Sequence, residues 1–459
     1  MKPATPLTRA AILAATLIFA MLIGLWLPSE KTGRETNPKT PREIAANADV
    51  GPPRGNDPMA RLRPRKKLSA EQIVAKRFAL FAKKRQLLVE RIAKFHKTSV
   101  PPEIEKFFEL LKGDDWEATK AQFHALATRA GQYDYSTTNS PDLAPFWRPV
   151  VEAYGAAEQV RMWPAQQLLD YGNSIIDSLQ PGMVYVGGTD PGCFIPTMLN
   201  ETGDGDQHVM LTQNALADQN YLNYIQFLYG GQIDTLTGDQ LQQAYDQYTS
   251  DAQARMQHDQ NFPDEPPQLM PGENVSQNNG KFSVTGVNSV MAINGILLQD
   301  LVQQNPDLSF AMEESFPIPS TYAGGTPLGP IMELGANTGD STITPDTAEQ
   351  TVNYWETTAQ TLVNSSDDPP SDPELKTYAH DAQAQANLLA NNNFPDAADQ
   401  LYQTALDLWP DDLGTVRDYA GFLNKQGQTD EANDLLDNFS QNNPAQSAAV
   451  SALRNSMRH

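Results

Sequence analysis

Residues 183–197 read MVYVGGTDPGCFIPT and residues 209–225 read VMLTQNALADQNYLNYI. Each stretch opens on four mostly apolar residues, breaks at a Gly or Gln-Asn cluster, and continues at helical spacing. A run of four bounded by turn residues has the length of a buried strand and is too short for a helix. Leu308–Met312 and Ile331–Leu334 supply two further runs of this kind. Helices are expected from near Pro196 and at about 218–229, 239–258 and 286–304, with a Pro-, Asn- and Gln-rich insert at 259–281. Strands alternating with helices predict a small α/β domain with a mainly parallel sheet and right-handed crossovers. We place that domain at 146–364, entered through a helical segment at about 146–180.

Toward the N-terminus, residues 10–29 (AAILAATLIFAMLIGLWLPS) carry no charge and follow Lys2 and Arg9. As a helix they would extend about 30 Å, the thickness of a bilayer core. The run is longer than a signal-peptide core and ends on Leu25-Trp26-Leu27-Pro28, large where a peptidase needs small residues. The expectation is an uncleaved transmembrane anchor over 1–29. No cysteine follows the run, which excludes a lipoprotein anchor. Residues 30–68, rich in Pro, Gly, Asn and basic groups, read as a flexible basic tether. A helical region is expected over 69–145, opening on a capping box from Ser69 and Gln72, with further helices at about 102–112 and 115–130.

Toward the C-terminus, SSDDPPSDPE (365–374) reads as a linker and a repeat follows it over 375–459. Ala386, Leu389, Ala398, Leu401, Ala405 and Pro410 are matched by Ala420, Leu423, Ala432, Leu435, Phe439 and Pro444, each pair 34 residues apart. That is the tetratricopeptide period, in which small residues let two helices approach and Pro ends the second. Two repeats seldom stand alone, so the helix at about 346–364 or the α/β domain is expected to cover one end. The fold class is thus α/β plus all-α, with helical hairpins at the end.

Charge divides sharply along the chain. Residues 1–112 hold 22 Lys+Arg against 10 Asp+Glu, a net +12, whereas residues 113–459 hold 11 against 46, a net −35. An acidic body repels phosphates, so no nucleic-acid partner is expected for it. The basic segment suits either anionic lipid headgroups or a solvated linker. Positive charges on both sides of the apolar run lean toward a cytoplasmic body.

VYVGGTDPGCFIPT (184–197), VMLTQNALADQNYLNYI (209–225) and FAMEESFPIPSTY (310–322), in this order, resemble the soluble C-terminal region of multi-spanning bacterial membrane proteins related to protein O-mannosyltransferases. The similarity covers about residues 170–445. It implies a soluble extracytoplasmic region ending in tetratricopeptide-like repeats, and we follow it in placing the body outside the cytoplasm behind a single span. Departures matter too. Cys193 stands where such proteins tend to have Arg, Asp206-Gln207-His208-Val209 stands for Arg-Pro-Asp-Val, and Glu333 lacks a basic neighbour. The multi-spanning transferase portion is missing, so the resemblance implies a detached soluble domain.

In open α/β sheets ligands bind outside the carboxyl ends of the strands. That places a candidate polar-ligand site at Gly187, Gly188, Thr189, Asp190, Asn214 and Glu313. The competing reading makes the glycines a tight turn and Asp190 and Asp218 helix caps. Asp204-x-Asp206-x-His208 lacks the ligand count of a calcium loop and reads as an exposed turn. The other histidines lack metal-ligand spacing and Cys193 lacks an adjacent base, so no catalytic residue, metal or cofactor is assigned. The expected function is that of a membrane-tethered binding or assembly protein that meets a protein partner through its repeats. The alternative is an enzyme, or the soluble part of a glycosyl-transfer system, with its site at the sheet's carboxyl edge.

Overall fold

A computed structural model describes residues 68–130, 140–270, 273–278, 281–313, 324–335, 343–364 and 369–457. The anchor at 10–29 and the tether up to residue 67 lie outside the described residues, as does part of the 365–374 linker. Among the described residues no helix is long and apolar enough to cross a membrane.

The chain is mostly helical. Its first helices are α1 (Ala70–His96), α2 (Pro102–Gly113), α3 (Trp116–Arg129), α4 (Ala144–Met162) and α5 (Ala165–Ser178). The Ser69–Gln72 box closes reciprocally at the start of α1, and Asp115 caps α3. α1 buries Val74, Phe78, Phe81, Leu88 and Ile92 along one stripe. The single segment read at 146–180 is two helices. Pro164 lacks an amide and restricts the residue before it, so Trp163 turns extended at φ −101°, ψ 139°.

The remaining elements are β1 (Val184–Gly187), α6 (Asp190–Thr202), β2 (Met210–Thr212), α7 (Gln219–Tyr229), α8 (Gly238–Asn261), β3 (Asn274–Asn278), β4 (Lys281–Thr285), α9 (Val287–Gln304), β5 (Phe310–Met312), β6 (Thr326–Leu328), β7 (Ile331–Leu334), α10 (Pro345–Val363), α11 (Asp372–Asn391), α12 (Pro395–Leu408), α13 (Leu413–Lys425), α14 (Thr429–Asn442) and α15 (Ser447–Ser456). The sheet order is β2-β1-β5-β7-β6. β1 pairs in parallel with β2 and β5, while β5–β7 and β6–β7 are antiparallel. The sheet is therefore mixed, not mainly parallel. The physical reason is the two-residue connection Gly329-Pro330, too short for a crossover; Gly329 supplies the positive φ of 59° that such a turn needs. β3 and β4 form a separate hairpin that starts in the Pro-, Asn- and Gln-rich insert and ends just beyond it, with Val275, Phe282 and Val284 as its apolar positions.

Contacts gather the described residues into two compact units. One holds 68–176 with 194–207. The other holds 177–193 with everything from 208 onward, so the sheet and the C-terminal hairpins belong to the same body. In that body α11 packs on β6, β7, α12 and α13, and α10 packs on α12. The Trp355 indole donates to the Gln385 side-chain oxygen at 2.9 Å, and the Gln385 amide donates to the carbonyls of Gly329 (2.8 Å) and Ile331 (3.0 Å). One amide thus fastens α10 and α11 to the β6–β7 turn. Of the 34-residue pairs, Ala386, Leu389, Ala398, Leu401 and Ala405 are buried, as are Ala420, Leu423, Ala432 and Phe439. Leu435 is half-buried, and Leu436 points inward instead.

Candidate functional site at the carboxyl end of the sheet

β1 lies between β2 and β5 with both neighbours parallel, so the chain departs to opposite sides of β1. Register places Gly187 opposite Thr212 and Val186 opposite Met312. The next residues, Gly188, Gln213 and Glu313, therefore leave three adjacent strand ends at the switch point where open sheets take ligands.

Glu313 decides what this end can do. Its side chain is buried, 1% exposed, and turns onto the loop that follows β1. Oε2 accepts the Gly188 amide at 2.8 Å and the Thr189 amide at 3.0 Å, and the Thr189 hydroxyl donates to Oε1. The Thr189 hydroxyl also accepts the Gly192 amide at 2.9 Å, which makes Thr189 the cap of α6. α6 consequently starts at Asp190 and not near Pro196, and Asp190 sits half-buried in its first turn. In a regular helix the Gly192 carbonyl would accept the amide of residue 196, but Pro196 has none. The Tyr185 hydroxyl takes that carbonyl instead, at 2.8 Å. Burial, and then the Glu313 charge, holds that phenol well above its ordinary pKa, so it stays a donor.

The glycines are needed for space. A Cβ on Gly192 would stand 1.8 Å from Glu313 Oε2, and one on Gly187 would stand 2.7 Å from the Gly192 carbonyl. Bare backbone at Gly192 lets the carboxylate reach the loop, and bare backbone at Gly187 lets the start of α6 lie against the end of β1. Glu313 therefore works as a latch: three of its roughly four acceptor sites are filled by this loop. A carboxylate so engaged is poorly placed to take a proton from a substrate.

Gln213 and Asn214 behave differently. They form a 3-10 turn directly after β2. Gln213 is fully buried, and neither end of its amide has a hydrogen-bond partner among the described residues; the Asn214 side-chain oxygen is also buried and unmatched. Buried polar groups are normally paired, so this turn offers both donor and acceptor to a polar molecule. Asp218 caps α7 through the Asn220 amide at 2.9 Å, in agreement with the capping reading. Of the residues singled out from the sequence, the structure joins Gly188, Thr189 and Glu313 by hydrogen bonds, with Gly187 and Asn214 at the adjoining strand ends and Asp190 in the first turn of α6. Sequence reasoning missed Tyr185, Gly192 and the burial of Gln213, for which the only signals are a Tyr within a strand run and a Pro four residues after a Gly.

Asp204 and Asp206 are exposed, whereas His208 is buried with Nδ1 3.1 Å from the Met183 carbonyl. Among the described residues no group of His, Cys, Asp and Glu could hold a metal ion. Cys193 is buried. Comparison with family models, curated proteins and solved structures returns no match for this chain.

Proposed function

We propose that this protein is a membrane-tethered binding or assembly protein whose C-terminal hairpins, tetratricopeptide-like in spacing, receive a protein partner. The observation that carries this reading is the state of Glu313, whose buried carboxylate is spent on two backbone amides and a hydroxyl. The sheet end is braced for shape, which suits binding better than proton transfer. The first hairpin is already used internally, since α11 is buried nearly all round and fixed to the sheet by Gln385. The second hairpin is freer, and α14 exposes Asp430, Glu431 and Asp434 as an acidic ridge that suits a basic partner, while the adjacent Asp437 is paired with Arg454. The unmatched amide of Gln213 and the unmatched side-chain oxygen of Asn214 support a second reading, in which the sheet end holds a hydroxyl-rich ligand within a glycosyl-transfer system.

In-cell crosslinking followed by detergent pull-down tests the first reading. A partner recovered with the native chain should be lost with Asp430→Lys/Asp434→Lys and retained with Glu313→Gln. Deleting 375–459 is unsuitable because it strips Gln385 from the sheet. Retention of every partner by the charge-reversed protein would discard the hairpin surface; loss with Gln213→Leu alone would favour the ligand reading.

A further inference from the structure

Three of the six large hydrophobic side chains exposed among the described residues lie on α1: Leu80 is 44% exposed, Leu87 46% and Phe95 67%. At 100° per residue, Lys76, Leu80, Lys83, Leu87, Arg91 and Lys94 fall in one strip about 80° wide. All six are exposed. α1 carries only two acidic residues; Glu71 lies on the opposite side and Glu90 just outside the strip. Lys84 and Arg85 face elsewhere and are engaged by Glu201. Beside the strip, a groove of about 430 Å³ opens between α1 and α2, with Phe78, Phe108 and Leu111 in its lining; Lys83, Lys112 and Asp114 also line it, the last paired with Arg161.

We propose that this strip is a docking face for an anionic bilayer: the leucines enter the headgroup layer, the lysines meet lipid phosphates, and the groove takes an acyl chain. The inference rests on the tether reading. Residues 30–69 would hold α1 within roughly 35 Å of any bilayer that the apolar run enters, a distance at which a weak contact becomes effectively intramolecular. Charge selects the occupant, because a surface of lysines around leucines repels cationic lipid and gains from anionic lipid. The strip lacks the aromatic platforms on which single-stranded nucleic acid stacks.

The full chain, reconstituted into phosphatidylcholine vesicles with or without an equal share of phosphatidylglycerol, tests the face. Cys193 is the sole native cysteine and is buried, so a dye on Leu87→Cys reports α1 selectively. Nitroxide lipids should quench that dye in anionic vesicles and leave a dye on Arg417→Cys untouched. Lys83→Gln and Lys94→Gln should each lower the docked fraction about fivefold, and high salt should release the face. Equal quenching in neutral and anionic vesicles, or none while the chain floats with the vesicles, overturns the proposal. Flotation in high salt reads the tether separately. A chain that fails to float, yet is quenched when added to anionic vesicles, keeps the face and removes the tether. Displacement of the dye-labelled face by RNA, without lipid quenching, would reassign it to nucleic acid.

Discussion

Glu313 at the end of the sheet and Glu152 in the helical unit are both buried carboxylates, yet they are neutralised by opposite means. Glu313 meets two amides and a hydroxyl, with no cation in ion-pair range among the described residues. Glu152 meets Arg85 at 2.6 Å and Arg148 at 3.3 Å, while Arg85 also grips Glu201 with both terminal nitrogens and lies over the Phe81 ring at 4.2 Å. The dipole-solvated acid fixes the path of one loop. The cation-paired acids tie three separate helices, α1, α4 and α6, through a single guanidinium. Breaking a buried ion pair leaves an uncompensated charge, whereas removing a backbone-bonded acid leaves only neutral donors.

The largest expected effect follows from that difference. Arg85→Met leaves Glu152 and Glu201 facing each other without their shared cation and should cost about 3–5 kcal/mol in urea unfolding. A loss under about 1 kcal/mol would mean that the cluster is hydrated and the comparison fails. Glu313→Ala comes next. It strips the Gly188 and Thr189 amides of their acceptor, at about 1–3 kcal/mol for each buried donor left unmatched. Glu313→Gln keeps one acceptor oxygen and should cost less. Gly192→Ala drives a methyl into the carboxylate and should cost about 1–3 kcal/mol in the native chain. In the Glu313→Ala background the same methyl meets vacated space. The two losses should then be sub-additive by about 0.5–3 kcal/mol, which a double-mutant cycle measures.

Gln385 extends the comparison to the hairpins. Gln385→Leu removes the acceptor of the Trp355 indole and the donor to two β6–β7 carbonyls, and should cost about 2–4 kcal/mol. It should also lower the cooperativity of unfolding, because α11 and the sheet would no longer share this fastening. Sequence spacing placed α11 by its Ala386 and Leu389, but nothing in spacing says that Gln385, one residue earlier, faces a strand turn. The same limit explains the rest. Short apolar runs located β1, β2, β5 and β7 to within two residues, since burial on both faces leaves a local mark. Strand direction left none, because it depends on whether the connection is a two-residue turn or a crossover. Glu313 was readable as a polar residue at a strand end. Its partners were not, because they lie about 125 residues away in sequence.

The smallest effect concerns acid. Asp412 caps α13 by accepting the Thr415 amide at 2.7 Å and hydroxyl at 2.8 Å, with His380 at 3.4 Å on its other oxygen. Burial alone would raise its pKa. The hydrogen bonds and the His380 charge more than offset that, and hold the carboxyl well below the usual aspartate range. A folded pKa depressed below the unfolded value of about 3.9 contributes stability that is fully present above the unfolded value and fades as pH falls toward the folded one. Asp412→Asn keeps a capping oxygen of equal rank but cannot ionise, so it loses only the charge-linked part, about 1 kcal/mol near neutral pH. That gap should close progressively as the pH drops below about 4, once the native carboxylate must bind a proton in the unfolded chain. Thermal unfolding of both proteins across this range reads the difference directly. A gap that stays constant with pH would show that Asp412 acts here as a neutral cap, much as Thr189 does at α6, and that its charge contributes nothing to the hairpins.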